Sequence, residues 1–111
     1  MEIKSFKQLA RVAEDAASAA LSDRKKTHFT DSGTCNFDRV ALPGGKRMLK
    51  KVEQAGLRGY LRTSGMWNGY VLVSAPVNGY QGDFNTVQVE AMAKAFKAGG
   101  LEGTTVYYQM D

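Results

Sequence analysis

The stretch Leu57-Arg58-Gly59-Tyr60-Leu61-Arg62-Thr63-Ser64-Gly65-Met66-Trp67-Asn68-Gly69-Tyr70-Val71-Leu72-Val73-Ser74-Ala75 holds two extended runs, 57–63 and 70–75, on either side of a turn. Asn68-Gly69 between Trp67 and Tyr70 is a strong short-range hairpin signal, because a type I′ turn needs positive φ at both central positions. Strict pairing outward from that turn sets Tyr60 and Arg62 on the side of Val71 and Val73 and leaves Leu57 and Leu61 on the open side. A bulge at Ser64-Gly65 would reverse the parity and bury the leucines. Both registers stand at this point.

Outward from the hairpin the hydrophobic period lengthens. Residues 46–55 read as a short helix with Met48, Leu49, Val52 and Ala55 inward and Gly56 as its stop. Residues 84–98 read as a second, with Val89, Met92, Ala93 and Phe96 on one side and Gly99-Gly100 after it. Beyond the helices lie two further extended runs, 34–42 and 104–110, the last with Val106, Tyr108 and Met110 on one face. The order is β-α-β-β-α-β, which with right-handed crossovers predicts an α+β domain of ferredoxin-like type: a four-stranded antiparallel sheet with both helices on one face. The strands starting near Thr34 and Tyr70 are expected as a parallel central pair.

Upstream, Ser5-Phe6-Lys7-Gln8 is a capping box that opens a helix over 5–22, with Phe6, Leu9, Ala13, Ala17, Ala20 and Leu21 near one face. Asp23-Arg24-Lys25-Lys26 ends the pattern with charge. This alanine-rich stripe buries little area, so 1–26 is read as an added helix and basic turn on an α+β core of 27–111, all within one domain. An optional strand at 27–30 and a turn at Asp31-Ser32-Gly33 precede the core.

The 111 residues include 43% hydrophobic and 23% charged side chains, ordinary globular usage that excludes a disordered tail or a fibrous repeat. Fifteen Lys and Arg against eleven Asp and Glu give a formal charge of +4, which favours anionic partners. One cysteine cannot make an internal disulfide, and a single histidine leaves no metal-finger spacing, so neither metal nor cofactor is expected. No basic region followed by an apolar run opens the chain, and the longest apolar stretch, 70–77, is far short of the roughly 20 residues that cross a bilayer. These readings predict no signal peptide, no membrane partner and a cytoplasmic location.

Three constellations could carry chemistry. With parallel inner strands, Gly44, Gly45, Lys46 and Arg47 would share one rim with Asn78, Gly79, Tyr80, Gln81 and Gly82, each loop opening a helix whose free N–H groups attract anions. Cations are disfavoured at that end of a helix, and a bound phosphate would explain Lys46 and Arg47. The spacing is not that of a P-loop. The second constellation is the open sheet face, where, in the bulged register, Arg58, Tyr60, Arg62, Tyr70 and Tyr107 are expected together with Asn36, Asp38 and Gln109. Tyrosine and guanidinium planes stack on bases, and the same residues dominate protein hot spots. The N-terminal helix could also cover that face. The third is Cys35 with His28, which a hairpin turn at 31–33 would set on opposite sides of a sheet, outside the reach that nucleophilic catalysis needs. No catalytic residue is assigned. A solvated face remains the plain alternative for the basic run Lys46, Arg47, Lys50 and Lys51, whose i,i+4 pairs are like-charged.

Asp31-Ser32-Gly33-Thr34-Cys35-Asn36-Phe37-Asp38 and Tyr107-Tyr108-Gln109-Met110-Asp111, with the element order between them, resemble small uncharacterised proteins of phages and mobile elements. That resemblance implies weight on Asn36, Asp38 and Gln109, and interference with a host system as the role. It supplies no catalytic residue, cofactor or substrate. The reading is therefore a small non-enzymatic binding protein, a phage-type accessory or anti-defence protein, that contacts a host protein or nucleoprotein. The alternative is a nucleotide or nucleic-acid binder that uses the two glycine loops.

Overall fold

The computed structural model describes residues 5–28, 30, 31, 36–77, 80 and 82–109. Helix α1 runs over Phe6–Thr27, capped by Ser5, whose hydroxyl accepts the Gln8 N–H at 3.2 Å. It continues five residues past the expected end because Arg24, Lys25 and Lys26 sit in its last turn, where cations meet the negative end of the helix dipole. Thr27 and His28 thus close a helix rather than start a strand, and the His28 N–H bonds the Arg24 carbonyl at 2.9 Å. Phe29, Cys35 and the rest of 32–35 lie outside the described residues, so the thiol–imidazole reading has no geometry to stand on.

The remaining elements are β1 Arg39–Pro43, α2 Gly45–Gln54, β2 Gly59–Leu61, a 3-10 turn Gly65–Trp67, β3 Tyr70–Val73, α3 Asp83–Ala98 and β4 Thr105–Tyr107. They build an α+β molecule with one four-stranded antiparallel sheet in the order β2-β3-β1-β4. The inner strands β1 and β3 are antiparallel, with Val40 opposite Val73 and Pro43 opposite Tyr70, which corrects the expected parallel pair. A helical crossing returns β2 in the direction of β1, and the hairpin then reverses β3 once. The strand that slides in beside β1 must therefore oppose it.

The hairpin takes the register that buries the leucines, since Leu61 faces Val71 and Tyr60 faces Leu72. Parity changes at Gly69, not at Ser64-Gly65. The Arg62 carbonyl accepts the Gly69 N–H and the Arg62 N–H donates to Tyr70, both at 2.9 Å, so two residues oppose one. Gly69 supplies the left-handed φ of +88° that this bulge needs, while Asn68 at φ −55° and ψ 130° makes the turn type II rather than I′.

Alternation then divides the sheet. Val40, Leu42, Val71 and Val73 turn to Met48 and Val52 of α2 and to Val89, Met92 and Phe96 of α3 in one buried cluster. Helix α1 packs along α3, with the Phe6 and Phe96 rings stacked at 5.8 Å, and touches α2. Leu9, Ala10, Ala13 and Ala17 join the same core from α1. The N-terminal helix thus thickens the helical side and does not cover the outer sheet face.

Candidate functional site: the outer face of the sheet

Residues that alternate with the core point outward: Arg39, Ala41 and Pro43 on β1, Tyr70 and Leu72 on β3, Tyr60 on β2 and Thr105 and Tyr107 on β4. Arg58 and Arg62 extend the outward row of β2 by one step at each end. Trp67 closes the arrangement. Its indole meets Tyr70 at 5.3 Å and Tyr107 at 5.2 Å, both edge-on. Those tyrosines stand on strands either side of β1, so the indole spans β1, and Ala41 beneath is fully buried. Edge-to-face packing of this kind fixes ring orientation as well as burying area. The Arg62 guanidinium lies 6.0 Å from the Tyr107 ring. Tyr60 stays 48% exposed beside this cluster, and Met66 at the loop tip is 88% exposed.

The electrostatics are one-sided. Arg58 donates to the Ala75 carbonyl at 2.9 Å, and Arg39 to the Phe37 and Asp38 carbonyls at 2.8 and 3.1 Å. The Arg39 Nε is buried with no hydrogen-bond partner. Among the described residues the ion pairs are Arg24–Asp83 and Lys26–Asp23, so none of the face arginines is neutralised by a carboxylate. No outward position of the four strands is acidic.

Asn36 and Asp38 are not on this face. They share the parity of Val40 and lie buried against the start of α3. The Asn36 amide donates to the Gly82 carbonyl at 3.0 Å and the Thr86 hydroxyl at 3.1 Å, and its oxygen accepts from Asn85 at 2.7 Å. The Asp38 carboxylate accepts the Thr86 hydroxyl and the Gln109 backbone N–H, each at 2.9 Å. Asp31 caps the same helix, taking the Gly82 and Phe84 N–H groups at 3.0 and 2.8 Å. Both sequence strings thus converge on one capping network, whose groups are paired with each other.

The shared glycine rim is also absent. Gly45 bonds the Gly69 carbonyl at 2.9 Å, at the Pro43–Tyr70 end of the inner strands, whereas Gly82 is held by Asn36 and Asp31 at the other. Antiparallel inner strands separate Gly44, Gly45, Lys46 and Arg47 from Gly82 by the length of the sheet. Tyr80 packs edge-on against Phe84 at 5.2 Å under the Lys25 ammonium, while Asn78, Gly79 and Gln81 lie outside the described residues. The α3 end of that proposed pocket is already occupied by the Asp31 carboxylate. Arg47, Lys50, Lys51 and Gln54 instead line a shallow groove along α2.

Sequence reasoning missed Trp67 and Arg39 as members of the face. Alternation from Val40 would have found Arg39. Trp67 stood in a turn, where a large apolar ring signals a segment that folds back onto something. Among the described residues no cluster of three His, Cys, Asp or Glu side chains could hold a metal, and no helix is long and apolar enough to cross a membrane. Comparison with protein-family models, curated proteins and solved structures finds no match to the chain.

Proposed function

We propose that this chain is a small non-enzymatic binding protein that docks an anionic macromolecule on the outer face of its sheet. One observation carries the reading: aromatic rings and three arginines share a face with no carboxylate at the outward positions of its strands and, among the described residues, no ion pair to its cations. Buried charge is normally paired, and a surface whose guanidiniums contact only carbonyls and rings has binding capacity left for a partner. The order β2-β3-β1-β4 with two helical crossings supports classing the core as ferredoxin-like, a sheet with one free face. The resemblance to phage and mobile-element proteins points to a host protein or nucleoprotein in the host cytoplasm, and to interference with a host system as the purpose.

The test is affinity capture from host lysate, with and without nuclease, by the wild-type chain, Tyr60→Ala/Arg62→Glu and Arg11→Glu. Arg11 is exposed on α1, far from the face, and controls for charge. Retention by the wild type and by the α1 variant, with loss in the folded face variant, is expected. Equal retention by all three would refute the assignment.

A further inference from the structure

Resting on that reading, we infer that the occupant of the outer face is a single-stranded nucleic acid whose bases stack on Tyr60 and the Trp67 cluster while arginines meet its phosphates. Charge comes first. Among the described residues no carboxylate pairs with Arg39, Arg58 or Arg62, which fits a polyanion and disfavours an ordinary mixed-charge protein surface. The nature of the exposed carbon decides between polyanions. Ala41 and Leu72, the aliphatic residues of the face beside Pro43, are each 0% exposed. What remains at the surface is chiefly π surface, in the phenol of Tyr60, the half-buried Trp67–Tyr70–Tyr107 cluster and the guanidinium of Arg62, beside Pro43, Thr105 and the loop-tip Met66. Such rings and guanidinium planes stack on any base and tolerate any sequence.

Geometry favours single strands over duplex. A sheet face carries no helix or two-stranded ribbon to enter a groove, and bases within a duplex have no free faces to offer. The perpendicular packing of Trp67 on two tyrosines holds the platform rigid before binding, so little ordering is lost on association. The Gly45–Gly69 hydrogen bond ties the start of α2 to the loop that carries Trp67. Lys46 and Arg47 therefore stand at the Tyr70 end of the ring cluster, which reaches toward Tyr107 at the other, and a strand leaving the face at the Tyr70 end meets two more cations.

The experiment uses the intact chain with fluorescein-labelled oligo(U) and oligo(dT) of about twelve nucleotides, within the site sizes single-strand binders cover, and a duplex of equal length. Expected are anisotropy changes with the single strands and weaker ones with the duplex. Emission from Trp67, the one tryptophan, should be quenched on binding. Affinity should fall with salt at a logarithmic slope near −2, at roughly −0.7 for each of three phosphates. Tyr60→Leu keeps apolar bulk without the ring and should weaken binding roughly 5- to 150-fold, whereas Tyr60→Phe retains it. Binding unchanged in Tyr60→Leu and Arg62→Ala, or as tight to duplex, overturns the inference. Failure of every oligonucleotide to bind, alongside nuclease-resistant capture of a protein that still needs Tyr60 and Arg62, overturns it too and leaves the docking surface standing. Capture indifferent to those residues removes both.

Discussion

The Tyr108 phenol donates to the Glu90 carboxylate at 2.6 Å, which ties the end of the chain to α3. That hydrogen bond, helped by partial burial and by the negative charges of Glu90 and Asp38, pushes its pKa up from 10.0 to about 12. The donor is the neutral phenol, so the bond is fully present below pH 10 and is lost as pH rises through about 12. The ring is largely exposed, and water screens the energetic consequence, so the effect belongs in a titration rather than a melting curve. Phenolate absorbance should show one of the five tyrosines ionising last. Tyr108→Phe should delete that late step and Glu90→Gln should move it back toward 10. A late step that survives in Tyr108→Phe would assign it elsewhere. Single residues differed greatly in how plainly the sequence announced them. Alternation from Val40 would have sent Arg39 outward and Asn36 and Asp38 inward, against the expectation that put those two polar residues on the open face. Nothing local could show that Asp31 caps a helix more than fifty residues away, since its partners are backbone groups that any sequence supplies.

Helices were the most readable elements, because a 3.6-residue stripe and an end signal act over one short segment. α2 and α3 fall within a residue of the expected bounds at each end. The hairpin shows the opposite case: its turn residues are in the sequence, but strand parity depends on whether Gly69 is counted into the turn or into a bulge, and both conformations suit glycine. The parallel inner pair fails for a simpler reason: one helical crossing and one hairpin leave β3 opposed to β1, and that removes the two-loop pocket. How α1 attaches was hidden as well, because alanine packs against many surfaces. Gly99, just past α3, explains the fit: a Cβ there would run into the Leu9 side chain. Gly99→Ala should therefore loosen α1 and cost about 1–3 kcal/mol, the usual range for overpacking. Leu9→Ala removes a nearly buried side chain and should cost about 2–5 kcal/mol. The double variant should cost less than the sum, because the clash disappears with the leucine. Urea unfolding of the four proteins checks this, and strict additivity would place the two residues apart.

For the molecule as a whole, the division of charge is more informative than its total of +4. Besides the basic end of α1, Arg39, Arg58 and Arg62 mark the outer face and Lys46, Arg47, Lys50 and Lys51 run along α2, while the carboxylates with described partners serve α1, the start of α3 and Tyr108. Helix α2 has no acidic residue in its first turn, no side-chain cap at Gly44, and Lys46 and Arg47 where the dipole favours anions. Its like-charged pairs Lys46/Lys50 and Arg47/Lys51 add repulsion. This is a helix less stable than its length allows, and a surface kept for binding would keep such a cost. Lys46→Glu/Arg47→Glu puts anions at the helix start and sets Glu ahead of Lys at i,i+4. Each change should stabilise by about 0.3–1 kcal/mol at low salt, and the gain should shrink as salt is added. The same variant should bind an anionic partner more weakly, so unfolding midpoint and affinity move in opposite directions. A helix with merely solvated lysines would gain the stability and leave affinity unchanged. Measuring both on one preparation therefore separates a binding surface from an incidental run of charge.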